Sequence, residues 1–384
     1  MTNNKNQSSL YSQLVQQLLP GLTVSFVAIS LGAAFGVLSG RGALAGILSA
    51  GVIALITAAF GGTRIQCSGP TAPMTAVTIL LVSAVGGGLL ADHPDVDPDR
   101  FINLVLLLTG AMLIVASLLR LGRFIKLIPK IVISGFMNGI ALLIWVGEFC
   151  SIFGIGGKTA YLGNVFVNLA IVLLTLSVIF TLPLLLRKVS DRLNSFFPAT
   201  LIAIVVVSTL SNLFGLDVQH VSLGGSIESL TDIKGMIVGQ LPTEWSLALL
   251  ILAAPFVVQL AMLAYLDTLL TSLVVDRKVE IMHGRQDPTK PNQELCAQGI
   301  ANAAVSVFGG IPGAQATIRS VLILNEGATM RLAGVLVGIF VLIEMLMFQD
   351  LISLIPQAVF SGVLLKVGYD VFDWMPVRQY ISQL

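Results

Sequence analysis

Long apolar runs, separated by short stretches rich in glycine, proline or charge, recur along nearly the whole chain. A helix rising 1.5 Å per residue needs about 20 apolar residues to cross the roughly 30 Å of hydrocarbon in a bilayer. The runs predict spans over residues 20–38, 43–60, 71–90, 101–119, 131–153, 163–186, 196–213, 246–275, 295–308, 314–325, 327–348 and 350–365. Two of them depart from the pattern in the same way. "QCSGPTAPMTAVTILLVSAVGGG" passes Gly69, Pro70 and Pro73 before it becomes apolar, and "GGIPGAQATIRSVLILNEG" passes Gly309, Gly310, Pro312 and Gly313. Both are read as broken helices that start inside the bilayer, where non-helical backbone is tolerated only if protein or a water-lined cavity satisfies its polar groups.

Each broken segment is the third span of its half, counting from residue 20 and from residue 246. Matched interruptions in two halves point to a transporter built from inverted repeats, with its binding site where the interrupted helices meet. The expected organisation is a cytoplasmic tail over residues 1–19, a first repeat over 20–213, an extracellular crossover over 214–245 and a second repeat over 246–384. Seven spans fit the first repeat and five the second, so the second is expected to be incomplete by about two helices.

Composition sharpens this picture. The 384 residues are 55% hydrophobic and only 11% charged, against about 25% charged in soluble domains. This excludes a water-soluble fold and gives a polytopic, all-α membrane protein. With the amino terminus inside, sixteen lysines and arginines fall in inner loops and four, Arg41, Arg100, Lys158 and Lys234, in outer ones. The positive-inside rule favours that orientation and a multi-pass protein of the plasma (inner) membrane. A net charge of +1 gives no basis for nucleic-acid binding. The opening "MTNNKNQSSLYSQLVQQ" has neither the basic start nor the small-residue cleavage site of a secretory signal.

The broken helices also define the candidate chemistry. A helix amino terminus presents free N–H groups and a partial positive charge, so two of them facing one another form a cradle for an anion. The residues at those ends are Thr71 and Ala72 on one side and Gln315, Ala316 and Thr317 on the other. Arg319 lies half a turn further on. A charge at that depth normally faces a cavity or a partner; the alternative use of Arg319 is a salt bridge, for example to Glu326 or Glu344. Glu344 and Glu148 are read as lying near the outer ends of their spans, solvated at the interface. Asp267, in "LAMLAYLDTLLTSLVV", is a carboxylate among apolar residues, with Thr271 one turn along the same face. Carboxylate, hydroxyl and free carbonyls are the oxygen donors a small cation takes. Asp267 could instead carry a proton, or be neutralised by Arg319.

Cys67, Cys150 and Cys296 are far apart and no histidine stands at ligand spacing to them, so no zinc site or disulfide framework is expected. Neither a Walker lysine nor a catalytic constellation accompanies the glycine-rich loops. The chain is not expected to be an enzyme or to carry a cofactor.

"SGPTAPMTAV", "YLDTLLTSLVVD", "ELCAQGIANAAVSVFGGIPGAQATIRS" and "EGATMRLAG" resemble the SulP anion permeases, the sulfate-permease and solute-carrier group of anion exchangers, channels and symporters. Within that group "DTLLT" and "GAQAT" are most similar to the cyanobacterial sodium-dependent bicarbonate transporters. The resemblance implies seven plus seven inverted spans, core and gate domains, an anion between the third and tenth helices, and a cytoplasmic STAS domain with homodimerisation beyond the last span. It places Na⁺ at Asp267, Thr271, Gln315, Ala316 and Thr317, and the anion at Thr71 and the two helix ends. Gln315 stands where those relatives tend to have glycine. Arg319 matches the anion-binding arginine of animal exchangers, and Ser30 and Leu31 stand where many sulfate permeases carry proline followed by Gln or Glu. The resulting expectation is alternating-access symport of a small inorganic anion, bicarbonate first and sulfate second, with co-transported Na⁺. Cation-independent exchange, H⁺-coupled symport, a passive anion channel and nucleobase transport are the competing readings.

Overall fold

The computed structural model describes residue 14 and residues 16–374, apart from 128–129, 156–159, 190–198, 222–234, 236 and 285–286. Most of the expected tail and the middle of the expected crossover lie outside the described residues. Among the described residues the chain forms twelve α-helices: α1 (Leu18–Leu38), α2 (Ala43–Phe60), α3 (Ala72–Ala84), α4 (Pro98–Leu118), α5 (Lys130–Phe153), α6 (Val165–Val189), α7 (Ala199–Leu213), α8 (Leu247–His283), α9 (Pro291–Val307), α10 (Thr317–Asn325), α11 (Arg331–Ser353) and α12 (Gln357–Val371). Two three-residue strands, β1 (Ser68–Pro70) and β2 (Gly313–Gln315), precede α3 and α10. Among the described residues seven helices, α1 to α4, α6, α8 and α11, are long and apolar enough to cross a membrane, α3 being counted with the π-helical turn Val85–Leu89 that extends it.

Helix ends follow local chemistry more closely than hydropathy. α8 runs through the charged "DRKVEIMH" and stops only at Gly284, whose left-handed backbone (φ 63°) sends its N–H to Glu280 O. The apolar pattern ends eight residues earlier, because charges outside the lipid are compatible with a helix even where they end a hydrophobic run. The break expected at residues 348–350 falls instead at Leu354–Pro356, since Gln349 and Asp350 remain helical and Pro356 caps α12. Residues 314 and 315, expected at the start of the tenth span, belong instead to the strand Gly313–Gln315.

The chain divides into two compact units. One comprises Met1–Ile125 and Leu223–Gln349, the other Lys126–Ser222 and Asp350–Leu384. In the first, close helix crossings rest on missing side chains: a β carbon on Gly110 of α4 would lie 2.5 Å from Gly299 O of α9. With no hydrophobic gain from lipid to protein, close backbone approach of this kind drives packing. On its other side α9 sets Ala301 and Val305 against Ile53 of α2. Arg41, in the α1–α2 loop, clasps Asp99 and Asn103 of α4 and the Gly309 carbonyl after α9. In the second unit α12 packs on α5 and α6. Trp145 Nε1 donates to Leu365 O at 3.0 Å, and the Tyr161 hydroxyl meets Ser361 Oγ at 2.8 Å.

Candidate functional site

At the centre of the first unit β1 and β2 pair antiparallel, with Ser68 opposite Gln315, Gly69 opposite Ala314 and Pro70 opposite Gly313. Their approach is close, since a β carbon on Gly313 would stand 2.4 Å from the Gly69 carbonyl carbon and oxygen. A two-stranded ribbon has two open edges, and at this depth each edge needs partners. Side chains supply them. Asn302 of α9 brackets Gly313, donating to its carbonyl at 3.0 Å and accepting from its N–H at 2.9 Å. Thr268 of α8 accepts from Gln315 N, and Arg319 Nη2 donates to Pro70 O at 2.9 Å. The Ser320 hydroxyl bonds both the N–H and the carbonyl of Cys67.

The chain leaves this ribbon directly into α3 and α10. Thr71 and Ala316 occupy the N-cap positions in extended conformation, and neither makes a side-chain capping bond. An uncapped helix start leaves its first amides for another acceptor. Pro73 removes one donor from α3, leaving Ala72 and Met74. α10 offers Thr317, Ile318 and Arg319. The Ala316 N–H is already used on Cys67 O at 3.2 Å, and its carbonyl accepts from Ser320 N.

α8 lies across both helix starts. Its Asp267 faces Thr71 and lies within electrostatic reach of Arg319; one turn on, Thr271 Oγ1 meets Thr317 Oγ1 at 2.6 Å. Among the described residues no carboxylate forms an ion pair with Arg319. The salt bridges weighed for it, to Glu326, Glu344 or Asp267, are therefore not made. Glu344 is not solvated at an interface either: it is buried on α11 and bonds Ser25 Oγ of α1 at 2.5 Å, and Glu148 is likewise buried. Around the ribbon, Thr71 Oγ1, Thr75 Oγ1, Asp267 Oδ2, Gln315 Nε2 and Arg319 Nη1 are buried without a hydrogen-bond partner. Buried polar atoms are nearly always bonded, so this cluster of orphans makes the ribbon the candidate site for a polar guest.

All eight residues singled out in the sequence, Thr71, Ala72, Asp267, Thr271, Gln315, Ala316, Thr317 and Arg319, therefore lie on four elements around one ribbon. The sequence reading missed Thr268 and a polar stripe on α9. Glu294, Gln298 and Asn302, spaced four apart, all face inward and are fully buried. Glu294 accepts from Thr63 N, Gln66 Nε2 and Gln298 Nε2 at 2.9–3.1 Å, and Gln298 Nε2 also donates to Ser68 Oγ. Their i, i+4, i+8 spacing within "ELCAQGIAN" was the available signal.

Two short half-helices issuing from an antiparallel ribbon, inside a bundle of apolar spans, give the fold of a polytopic membrane protein with interrupted helices. The comparisons with known proteins agree. The chain belongs to the Sulfate permease family, whose profile matches residues 14–382. It is 32% identical to the "Bicarbonate transporter BicA" of Synechocystis sp. over 95% of this chain and 62% of that protein, so it spans about three fifths of that relative's length. Among solved structures it superposes on the transmembrane domain of a cyanobacterial bicarbonate transporter BicA with a TM-score of 0.80 and 30% identity, covering 95% of this chain and 90% of that one. The murine Solute Carrier 26 family member A9 anion transporter in its inward-facing state shares the fold, with a TM-score of 0.66 and 19% identity over 96% of this chain and 62% of that one.

Proposed function

We propose that this chain is the membrane part of a secondary transporter for small inorganic anions, with bicarbonate the first candidate substrate and sulfate the second, in Na⁺-coupled symport by alternating access. The observation that carries this reading is the convergence of two uncapped helix starts, an unpaired guanidinium nitrogen and an unpaired carboxylate oxygen on one buried ribbon. N–H donors and Arg319 replace the hydration of an oxyanion. Asp267 Oδ2, with the hydroxyl of Thr271 and the Gln315–Thr317 backbone, offers hard oxygens to Na⁺ as the co-transported cargo. Each ion lowers the cost of burying the charges facing the other. Empty and doubly loaded forms then cross the barrier more easily than half-loaded ones. The similarity to the bicarbonate transporter supports the substrate order.

The competing mechanism is cation-independent exchange, in which Arg319 balances Asp267 across the gap between them. It is separated from symport by anion uptake into proteoliposomes with and without an inward Na⁺ gradient. Symport requires uptake that rises with the gradient in the wild type and loses that dependence in Asp267→Asn, with a fall in the driven rate of about tenfold or more. Uptake that ignores Na⁺ in the wild type favours exchange and removes the coupling role of Asp267.

A further inference from the structure

The half-helix starts bind nothing in a reproducible geometry unless the ribbon beneath them is held still, and the ribbon has only three residues per strand. So short a pair supplies few bonds of its own and is not independently stable in isolation. Beside the bonds from Thr268, Arg319 and Ser320, three side chains of α9 restrain it. Glu294 holds the approach to β1 through Thr63 and Gln66, Gln298 holds β1 through Ser68, and Asn302 holds β2 through Gly313. The Asn302 contact differs in kind from the other two. Its carboxamide gives one donor and one acceptor to the N–H and C=O of a single residue, the pattern by which a neighbouring strand would pair with it. Pro70 and Gly313 form a non-hydrogen-bonded pair, as the Ala316 N–H to Cys67 O bond three steps along the ladder requires, so both polar groups of Gly313 point to the open edge. Asn302 is itself aimed by a second bond from Nδ2 to Gln298 O at 2.8 Å, and α9 is anchored against α4 by the Gly110–Gly299 crossing.

We propose that Asn302 is a positioning residue for the anion site: its amide acts as a surrogate third strand along β2 and fixes Gly313–Gln315, and with them the first amides of α10. Asn302 touches no transported ion in this account. It acts through the backbone, so its removal loosens the donors without deleting any of them. The inference rests on the transporter reading for its functional half and on geometry alone for its structural half.

The test uses the purified full chain as wild type, Asn302→Ala and Asn302→Asp, the last keeping the acceptor for Gly313 N–H while losing the donor. Two quantities are read: hydrogen–deuterium exchange of peptides covering 309–320, and the concentration dependence of bicarbonate and sulfate uptake in proteoliposomes. In Asn302→Ala, exchange over 313–317 should accelerate while α4 keeps its protection. The half-saturating anion concentration should rise about tenfold, the consequence of roughly 1.4 kcal/mol of lost preorganisation, with a change in maximal rate below about threefold. Asn302→Asp should fall between the two. Unchanged exchange over 313–317 overturns the proposal, as does an unchanged half-saturation alongside faster exchange. Failure of both variants to fold also overturns it, because Asn302 would then be holding the bundle and not the site. Faster exchange in a protein whose wild type moves neither anion leaves the positioning role standing and removes the transport reading instead.

Discussion

The two half-helix starts leave the same ribbon yet are built differently. α3 is entered through Pro70 and contains Pro73, so its approach is stiff and one of its first amides is missing. α10 is entered through Gly313, Ala314 and Gln315, has no proline in its first turn, and carries the Arg319 side chain at the last of its free amides. Proline gives one arm a fixed direction at the expense of donors, whereas glycine lets the other approach its neighbour's backbone and keep them. The arms therefore divide the work: α3 forms a wall with a single hydroxyl at its tip, and α10 concentrates the positive potential.

The largest effect that follows is at Arg319. Arg319→Ala removes the only guanidinium at the ribbon among the described residues and leaves Pro70 O without its donor, so uptake efficiency in proteoliposomes should fall by about 100-fold or more. Arg319→Lys keeps the charge without the fork and should recover only part of it. Equal uptake by Arg319→Ala and wild type would erase the distinction between the two arms. A smaller effect is expected on stability. Gly313→Ala forces a β carbon against Gly69 and should cost about 1–3 kcal/mol, read as a lower thermal midpoint in detergent. Gly86→Ala, in the open turn after α3 where nothing lies within 4 Å, should leave the midpoint unchanged or higher. The smallest effect is at the tip of α3. Thr71→Val deletes an unpaired hydroxyl and should raise the half-saturating anion concentration roughly fivefold, the worth of about one hydrogen bond. Thr317→Val, which also breaks the contact with Thr271, should do more; the opposite order would mean that the first arm dominates the site.

Most of the helical plan was legible because crossing a bilayer imposes a length, and residues such as 20–38 or 43–60 have no other use for so many apolar side chains. The breaks at Gly69–Pro73 and Gly309–Gly313 were legible for a complementary reason, since glycine and proline are costly inside a span. The pairing of those breaks was not. A three-residue strand has too few positions to show alternation, and nothing in "SGP" or "GAQ" states a register. Nor did "ELCAQGIAN" announce its role, because two of the three residues in its stripe are amides, and amides at helical spacing are as common on solvated faces as in buried networks. The misread acid, Glu344, illustrates the same limit: hydropathy places a residue along a span but not around it, and Ser25, its partner, lies 319 positions away.

The length of α8 has a practical consequence. A rod of 37 residues measures about 55 Å, well beyond the hydrocarbon thickness, and it carries Asp267 within its continuous helix. Ile281, exposed near its free end, is joined to that carboxylate by nearly four unbroken turns. A spin label or fluorophore attached there would thus record the displacement of Asp267 from a distance of roughly 21 Å, without touching any residue proposed to hold the ions.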